Sequence, residues 1–221
     1  MLFRSLADAL LAAHRGVYAR PAGGPVVLNT DFAQEAVRRG RAAAAEGVAW
    51  ARVDLLAWGD VRALRDRTRE AEGRCFAFVV DKSTTDAIAC RGDVGFSREA
   101  CAVGECHPAI VAATLESPAG RVEAHPAAVL AHHVAALVEE GGVWIALSYS
   151  SNRFPFLAGD GNDQDSDDKI EAAVRAVWKL ERVEAVKVKE ESAARGSTVH
   201  TPEVFHYLYI LRRLAGDVPT N

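Results

Sequence analysis

The chain has 221 residues, of which 49% are hydrophobic and 25% charged, and its formal net charge at pH 7 is −4. This composition is typical of an ordinary globular protein, and it argues against wholesale disorder and against broad attraction to nucleic acid or a membrane surface. No apolar run approaches the roughly 18 residues of a membrane span. A core of this size does not need disulfides, so we expect a reducing, cytoplasmic environment for the four cysteines, which are Cys75, Cys90, Cys101 and Cys106.

The first part of the chain predicts helices and strands in alternation. Apolar residues recur at helical spacing over residues 2–15, with Arg4 and Asp8 among them, which favours an amphipathic helix over a targeting segment. Short apolar runs at residues 26–31 and 48–54 predict two strands, each ending on an acid, and the alanine-rich segment 33–46 predicts a helix between them.

The longest apolar run covers residues 75–80 and ends abruptly on Asp81 and Lys82. It predicts a central strand of a parallel sheet that is covered on both faces, although periodicity alone does not exclude a buried helix. A helix is expected before it, at residues 60–72, and a capping box from Ser83 to Asp86 is expected to start a short helix after it. Because ligands of open α/β sheets bind beyond the carboxyl ends of the strands, this stretch should form one edge of a pocket.

The second half predicts an irregular insertion followed by further helices and strands. Residues 91–126 lack a clear pattern, apart from a short helix near residues 109–115. The later segments are a helix at 126–140 that stops at Gly141-Gly142, a strand at 143–150, an acidic loop at 157–168, a helix at 169–178, and an antiparallel strand pair at 178–186 and 205–212. Such alternation predicts one α/β domain over residues 1–221.

Three predicted strands therefore end in acids, namely Asp31, Asp54 and Asp81. A carboxylate at such a position can accept hydrogen bonds from both hydroxyls of a ribose. Each carboxylate alone could equally cap the next helix or turn. Three acids at the ends of three consecutive predicted strands favour a nucleoside pocket.

Residues 80–88, Val-Asp-Lys-Ser-Thr-Thr-Asp-Ala-Ile, resemble the Asp-Lys-Gly-Thr-Leu-Asp-Ala motif of class I S-adenosylmethionine-dependent methyltransferases. The group with this motif includes protein-lysine methyltransferases that act on translation elongation factors. Residues 29–32, Asn-Thr-Asp-Phe, are similar to the family's acid after its second strand, and residues 141–148 to its Gly-Gly turn and fifth strand. The resemblance covers most of the chain from residue 26. It implies a Rossmann-like class I methyltransferase sheet, mostly parallel with an antiparallel terminal strand pair, and truncated at the N-terminus because the first strand and glycine-rich loop are not found.

The resemblance also implies a cofactor, S-adenosylmethionine, and roles for individual residues. Asp31, with Phe32, would hold the ribose, and Asp54, with Leu55, the adenine edge. The catalytic residues would be Asp81, close to the transferring methyl or the incoming amine, Lys82 as its ion-pair partner, and Tyr149 on the acceptor side. The expected acceptor is a lysine amine of a protein substrate.

Two other functions stay open. The absence of the glycine-rich loop fits a non-catalytic binding or scaffold protein that kept the sheet and lost the cofactor. A nucleotide-dependent oxidoreductase is a weaker alternative, because the dinucleotide fingerprint is also absent.

Several smaller features have a structural explanation beside a functional one. Cys101, Cys106 and His107 could contribute to a metal site, but lack a fourth ligand at regular spacing. His132-His133 is expected to be one core histidine beside an exposed neighbour. Residues 160–171 have some oxygen positions of a calcium loop, but a solvated acidic loop fits better. Residues 148–150 could contact cofactor or substrate or could simply end a strand, and Arg153 could guide a substrate or fold its loop onto the core.

Overall fold

The computed structural model describes residues 9–10, 27–158, 169–188 and 203–216. The internal contacts separate the chain into two compact units, Met1–Leu55 and Leu56–Asn221. The single domain over residues 1–221 stays a prediction. The predicted helix at residues 2–15 lies outside the described residues except for positions 9–10, which are helical, and most of the predicted acidic loop, at 159–168, also lies outside them. Within the described ranges, no helix has the length and apolar character needed to cross a membrane.

The first unit contains two parallel strands and the helix that connects them. These elements are β1 (Val27–Asp31), α1 (Gln34–Ala42) and β2 (Val48–Arg52). The strands pair from Val27 opposite Val48 to Asp31 opposite Arg52, as expected for a βαβ unit. Gly40 of α1 lies directly against the indole of Trp50, and a Cβ atom at this position would overlap the ring. A glycine is therefore required for α1 to approach β2 this closely.

The second unit is built on a four-stranded sheet. Its strands, in spatial order, are β3 (Phe76–Lys82), β6 (Val138–Ser148), β8 (Phe205–Arg213) and β7 (Trp178–Lys187). The β3–β6 pairing is parallel, and the β6–β8 and β7–β8 pairings are antiparallel. The predicted antiparallel terminal pair is confirmed. The strands β1, β2, β3 and β6 were expected to run parallel, and the two pairings among them, β1–β2 and β3–β6, are parallel.

We expected β3 to be a central strand covered on both faces, and both parts of this expectation are wrong for the part of the chain that the structure describes. There β3 pairs with β6 alone, so it is an edge strand. Phe78, in its middle, is 60% exposed, while Asp81 on the opposite face is buried. An unbroken apolar run indicates a hydrophobic strand, but it does not indicate how many other strands pair with it.

Helix α6 (Pro126–Leu137) is the central helix of the second unit, and it is buried on every side. It packs against β6 and against three further helices, α2 (Trp58–Glu72), α3 (Thr84–Ala89) and α8 (Lys169–Val177). Both His132 and His133 are therefore buried, at 1% exposure each, and the prediction that one of them is exposed is wrong. The helix also ends before the predicted Gly141-Gly142 stop, because residues 138–148 already belong to β6.

The segment predicted to be irregular apart from a short helix near residues 109–115, residues 91–126, contains that helix and further regular elements. These are β4 (Val94–Ser97), α4 (Arg98–Ala102), α5 (Pro108–Glu116) and β5 (Arg121–Ala124), with β4 and β5 forming an antiparallel pair. Each strand has only four residues, which is too few for a periodic pattern to appear in the sequence. The short helix α7 (Pro155–Ala158) follows β6 further along the chain.

Helices α5 and α6 begin in the same way, with a histidine followed by a proline. Nδ1 of His107 accepts a hydrogen bond from the Ala109 N–H at 3.2 Å, and Nδ1 of His125 accepts one from the Ala127 N–H at 3.2 Å. The proline after each histidine has no N–H that would be left unpaired in the first turn. The imidazole takes the place that a serine or aspartate side chain occupies at most helix starts.

Candidate functional site

The candidate site lies where β3 and β6 end side by side. Their parallel register places Asp81 opposite Ala146 and Lys82 opposite Leu147, so the polar residues that follow both strands emerge at the same edge. This is the edge at which open α/β sheets bind ligands. The structure thus brings the residues after Asp81 together with residues 148–153.

Asp81 caps helix α3 from a buried position. Its two carboxylate oxygens accept hydrogen bonds from the N–H groups of Thr84, at 2.7 Å, and Thr85, at 3.1 Å, and the Thr85 hydroxyl donates a further one. Burial raises the pKa of the Asp81 carboxyl above its ordinary value, and the hydrogen bonds from Thr85 and Thr84 act in the opposite direction. We predicted a capping box in which Ser83 accepts from an early N–H, but Ser83 makes no such bond and Asp81 performs that role.

Ser83 adopts a left-handed backbone conformation, with φ of 63°. It is the one non-glycine residue with positive φ in the part of the chain that the structure describes. This conformation is unfavourable for a residue with a Cβ atom and costs glycine nothing. The methyltransferase motif that residues 80–88 resemble has glycine at this position, where this chain has serine.

Asp86 joins the start of α3 to the end of β6. Its carboxylate accepts hydrogen bonds from the Ser148 hydroxyl at 2.5 Å and from the Tyr149 N–H at 3.0 Å. The guanidinium of Arg153 forms an ion pair with the same carboxylate at 2.7 Å, and the two side chains are only 17% and 13% exposed. Asp86 was predicted only as a capping residue, and this network is what the sequence analysis missed.

Arg153 and Tyr209 extend the network into β8. The Arg153 N–H donates to the phenolic oxygen of Tyr209 at 3.0 Å, and the Tyr209 hydroxyl donates to the Ser150 carbonyl at 2.7 Å. Burial raises the pKa of Tyr209, so its hydroxyl stays a donor at neutral pH. Of the two roles considered for Arg153, folding its loop onto the core is the one that these contacts support.

Lys82 and Tyr149 lie at the same edge, in different surroundings. Lys82 is half-buried and forms no ion pair with Asp81, contrary to the expectation, because the Asp81 carboxylate faces the N–H groups of α3. Tyr149 is 61% exposed. Its ring meets that of His206 edge to face, with 4.5 Å between the ring centroids.

The first unit places its predicted residues after β1 and β2. One carboxylate oxygen of Asp31 accepts a hydrogen bond from the Ala33 N–H at 2.8 Å, which is an Asx turn. The adjacent Phe32 ring is 72% exposed. Asp54 is exposed and Leu55 half-buried. The other oxygen of Asp31 keeps accepting capacity for a ligand.

Of the two metal sites considered from the sequence, the one at Cys101, Cys106 and His107 lies in the described residues, and most of the calcium-like loop at residues 160–171 lies outside them. Among residues 9–10, 27–158, 169–188 and 203–216, no group of three or more His, Cys, Asp or Glu side chains could hold a metal ion. The side chain of His107 lies against the rings of Trp58 and His132, with centroids 4.7 Å and 5.1 Å away. Burial, followed by the nearby His132, lowers the pKa of His107 to about 2, so this imidazole is neutral.

Comparisons with known proteins add little to this geometry. No family model matches the chain, and no curated protein matches it. Among solved structures, one similar chain comes from work on the conversion of a disulfide bond into a thioacetal group during echinomycin biosynthesis. The likeness covers 94% of this chain and 71% of that one, with 18% identity and a TM-score of 0.45. These values are too low for the likeness to support an argument about fold or activity.

Proposed function

We propose that this protein transfers a methyl group from S-adenosylmethionine to a lysine amine of a protein substrate. The observation that carries the proposal is the left-handed backbone of Ser83 in the turn after β3. The motif has glycine where this chain has Ser83, and Ser83 adopts a backbone conformation that glycine adopts without strain. A left-handed residue at this position is what a motif glycine would suit, and this supports the resemblance of the turn to the motif.

The residues after β1 are suited to the nucleoside part of this cofactor. Asp31 has a carboxylate oxygen available beside the Asx turn, and Phe32 presents an exposed aromatic ring one residue later. A carboxylate can accept from ribose hydroxyls, and an exposed ring can stack on a heterocycle. Asp54 and Leu55 would serve the adenine edge. When bound, S-adenosylmethionine supplies an electrophilic methyl group.

The residues after β3 and β6 would position the acceptor. Asp81 and Asp86 hold α3 and the loop after β6 at one edge, which fixes the geometry of this wall. Tyr149 and His206 form an aromatic pair there, and the face of the exposed Tyr149 ring can attract an ammonium or a methylated amine. Methyl transfer to a neutral amine depends on alignment and exclusion of water more than on acid–base groups. The aromatic pair supports a lysine side chain as the acceptor.

The first experiment measures cofactor binding by isothermal titration calorimetry. We expect S-adenosylmethionine to bind the wild-type protein and to bind Asp31→Asn at least about tenfold more weakly, because the amide keeps the Asx turn and loses the charged acceptor. Asp93→Asn, the same exchange at an exposed position that is not among the candidate site residues, is the matched control and should bind like the wild type. Absence of binding to the wild type would rule out the cofactor.

A second experiment separates the catalyst from the non-catalytic alternative. The protein is incubated with cofactor carrying a radioactive methyl group and a cell extract, and labelled proteins are hydrolysed to identify the methylated amino acid. Radioactive methyl-lysine supports the proposal, and loss of the label in Tyr149→Ala would place this ring on the acceptor side. Label on a different amino acid contradicts the lysine assignment. Binding of the cofactor without any transfer identifies a scaffold that retained its ligand.

A further inference from the structure

Two buried cysteine side chains meet at the corner between α4 and α5. Cys101 lies in α4 and Cys106 lies two residues before α5, and they are 7% and 6% exposed. Their Sγ atoms are 2.7 Å apart. We propose that Cys101 and Cys106 form a disulfide bond that closes this corner, and that Cys75 and Cys90 remain thiols.

The distance between the two sulfurs is the first argument. Carbon atoms in optimal contact are about 3.5–4.0 Å apart, and sulfur is the larger atom. Two unbonded thiol sulfurs would therefore be pushed further apart than the observed 2.7 Å. A disulfide bond is about 2.0 Å long. The two sulfurs are therefore only about 0.7 Å further apart than they would be in a disulfide bond.

The backbone of the corner is already arranged for such a bond. Gly104 has φ of 76°, a conformation that glycine adopts without strain, and its N–H donates to the Cys101 carbonyl at 3.2 Å. This turn reverses the chain and directs both side chains inward. Val103, at its tip, is 71% exposed, so the turn itself is at the surface while the sulfurs are covered.

The surroundings of the sulfurs favour this bond over a shared metal. His107, the adjacent residue, uses Nδ1 to cap α5 and turns its ring towards Trp58. The Thr114 hydroxyl lies 3.8 Å from the Cys101 sulfur. Neither arrangement supplies further ligands, and the described part of the chain contains no group able to hold a metal.

Oxidised glutathione, a disulfide of low molecular weight, can serve as the oxidant. The thiolate of one cysteine attacks a glutathione sulfur, forming a mixed disulfide and releasing one glutathione thiolate, which takes up the proton lost by that cysteine. The second cysteine then loses its proton and attacks the mixed disulfide, and the second glutathione leaves as a thiol. Two protein thiols are thus oxidised and one glutathione disulfide is reduced. Burial raises the pKa of Cys106 to about 12, so we expect the reaction to be slow at neutral pH and faster in alkaline buffer.

Peptide mapping tests the proposal directly. The purified protein is reduced, freed of reductant and incubated with oxidised glutathione in alkaline buffer. It is then unfolded in the presence of iodoacetamide, which alkylates the remaining thiols, and digested with trypsin. Residues 99–121 contain both Cys101 and Cys106 without an internal Lys or Arg, whereas Cys75 and Cys90 fall in separate peptides, 75–82 and 83–91. We expect peptide 99–121 to be lighter by two hydrogen atoms and to carry no alkyl group, and dithiothreitol to restore two alkylated cysteines.

Variants distinguish this pair from other thiol reactions. Cys90→Ser removes an exposed thiol and should leave the result at peptide 99–121 unchanged. In Cys106→Ser, Cys101 has no partner, so peptide 99–121 should carry an alkyl group or a glutathione on Cys101. Two alkylated cysteines in the oxidised wild-type peptide, or a cross-link from either cysteine to Cys75 or Cys90, would overturn the proposal. The wild-type map decides the question even if a variant fails to fold.

Discussion

The carboxylate of Asp86 and the guanidinium of Arg153 form an ion pair 2.7 Å long between helix α3 and the loop that follows β6. Both side chains are largely shielded from water, and the Ser148 hydroxyl bonds to the same carboxylate. A charge in such a position is stable only with its partner, because its hydration has been lost. The pair therefore fixes helix α3 and the loop after β6 relative to each other.

Removing the charge of Asp86 should destabilise the fold substantially. Asp86→Asn leaves Arg153 without its counter-charge in a shielded position, and we expect the free energy of unfolding, measured by urea denaturation, to fall by about 3 kcal/mol. The control is Glu116→Gln, which breaks the Lys169–Glu116 pair, whose side chains are 58% and 61% exposed. That change should cost less than about 1 kcal/mol. Equal small losses in the two variants would contradict a structural role for the Asp86 pair.

Replacing Ser83 by glycine should stabilise the protein. The left-handed conformation at φ of 63° costs a residue with a Cβ atom about 1–2 kcal/mol, and part of this gain is offset by the greater freedom of glycine in the unfolded chain. We expect Ser83→Gly to raise the free energy of unfolding by about 1 kcal/mol. Ser83→Ala keeps the strain and loses no capping bond, so it should resemble the wild type. If the alanine variant is as stable as the glycine variant, the turn is not strained.

His107 should make the fold sensitive to acid. Its pKa is lowered to about 2 by burial and by the charges of His132, His133, Arg65 and Arg213, from an ordinary value of 6.5. Between these values the unfolded chain binds a proton that the folded chain does not, so stability is lost as the pH falls below 6.5. A single such group changes the free energy of unfolding by up to about 1.4 kcal/mol per pH unit.

His107→Asn tests this sensitivity, because asparagine can accept the N–H at the start of α5 but does not titrate. Urea denaturation from about pH 4 to about pH 6 should show a shallower dependence of stability on pH in this variant than in the wild type. His125→Asn, the same exchange at the start of α6, controls for the change of cap. An unchanged pH dependence in His107→Asn would show that His107 is protonated in the folded protein.

Adding a methyl group at Gly40 should disrupt the first unit. The new Cβ atom would overlap the indole of Trp50, so either the ring or α1 must move, at a cost of about 1–3 kcal/mol. Gly59, in α2, has no atom within 4 Å of the equivalent position. Gly59→Ala should therefore be neutral or stabilise its helix by up to about 1 kcal/mol. Trp50 is the one tryptophan in residues 1–55, and a shift of its fluorescence in Gly40→Ala would report the displaced ring.

Local sequence signals predicted many elements and few of the contacts in the site. Helix α2 was predicted close to its observed bounds, because its apolar spacing is regular and Gly73 ends it with φ of 69°. The terminal strand pair was predicted because β-prone residues recur over nine or ten positions. In residues 91–126 the helix α5 was predicted near residues 109–115, and the other elements were missed because they are short. The Asp86–Arg153 pair was missed because it joins residues far apart in the chain, and no local pattern reports such a contact.

The role of Ser83 shows a different limit. The sequence resemblance identified the turn, but it did not show that Asp81, instead of Ser83, caps the helix. Only the backbone conformation decides which of two nearby side chains can reach the free N–H groups. A serine near a predicted helix start therefore supports the helix more strongly than it supports a capping role for that serine.

The position of β8 between β6 and β7 bears on the order of events during synthesis. In the described part of the chain, β7 hydrogen-bonds to β8 alone, so it cannot join the sheet when it leaves the ribosome. The sheet can close only once Phe205–Arg213 has also been made. A nascent chain that stops before Phe205 would lack an inner strand and leave the edges of β6 and β7 open to pairing with other chains.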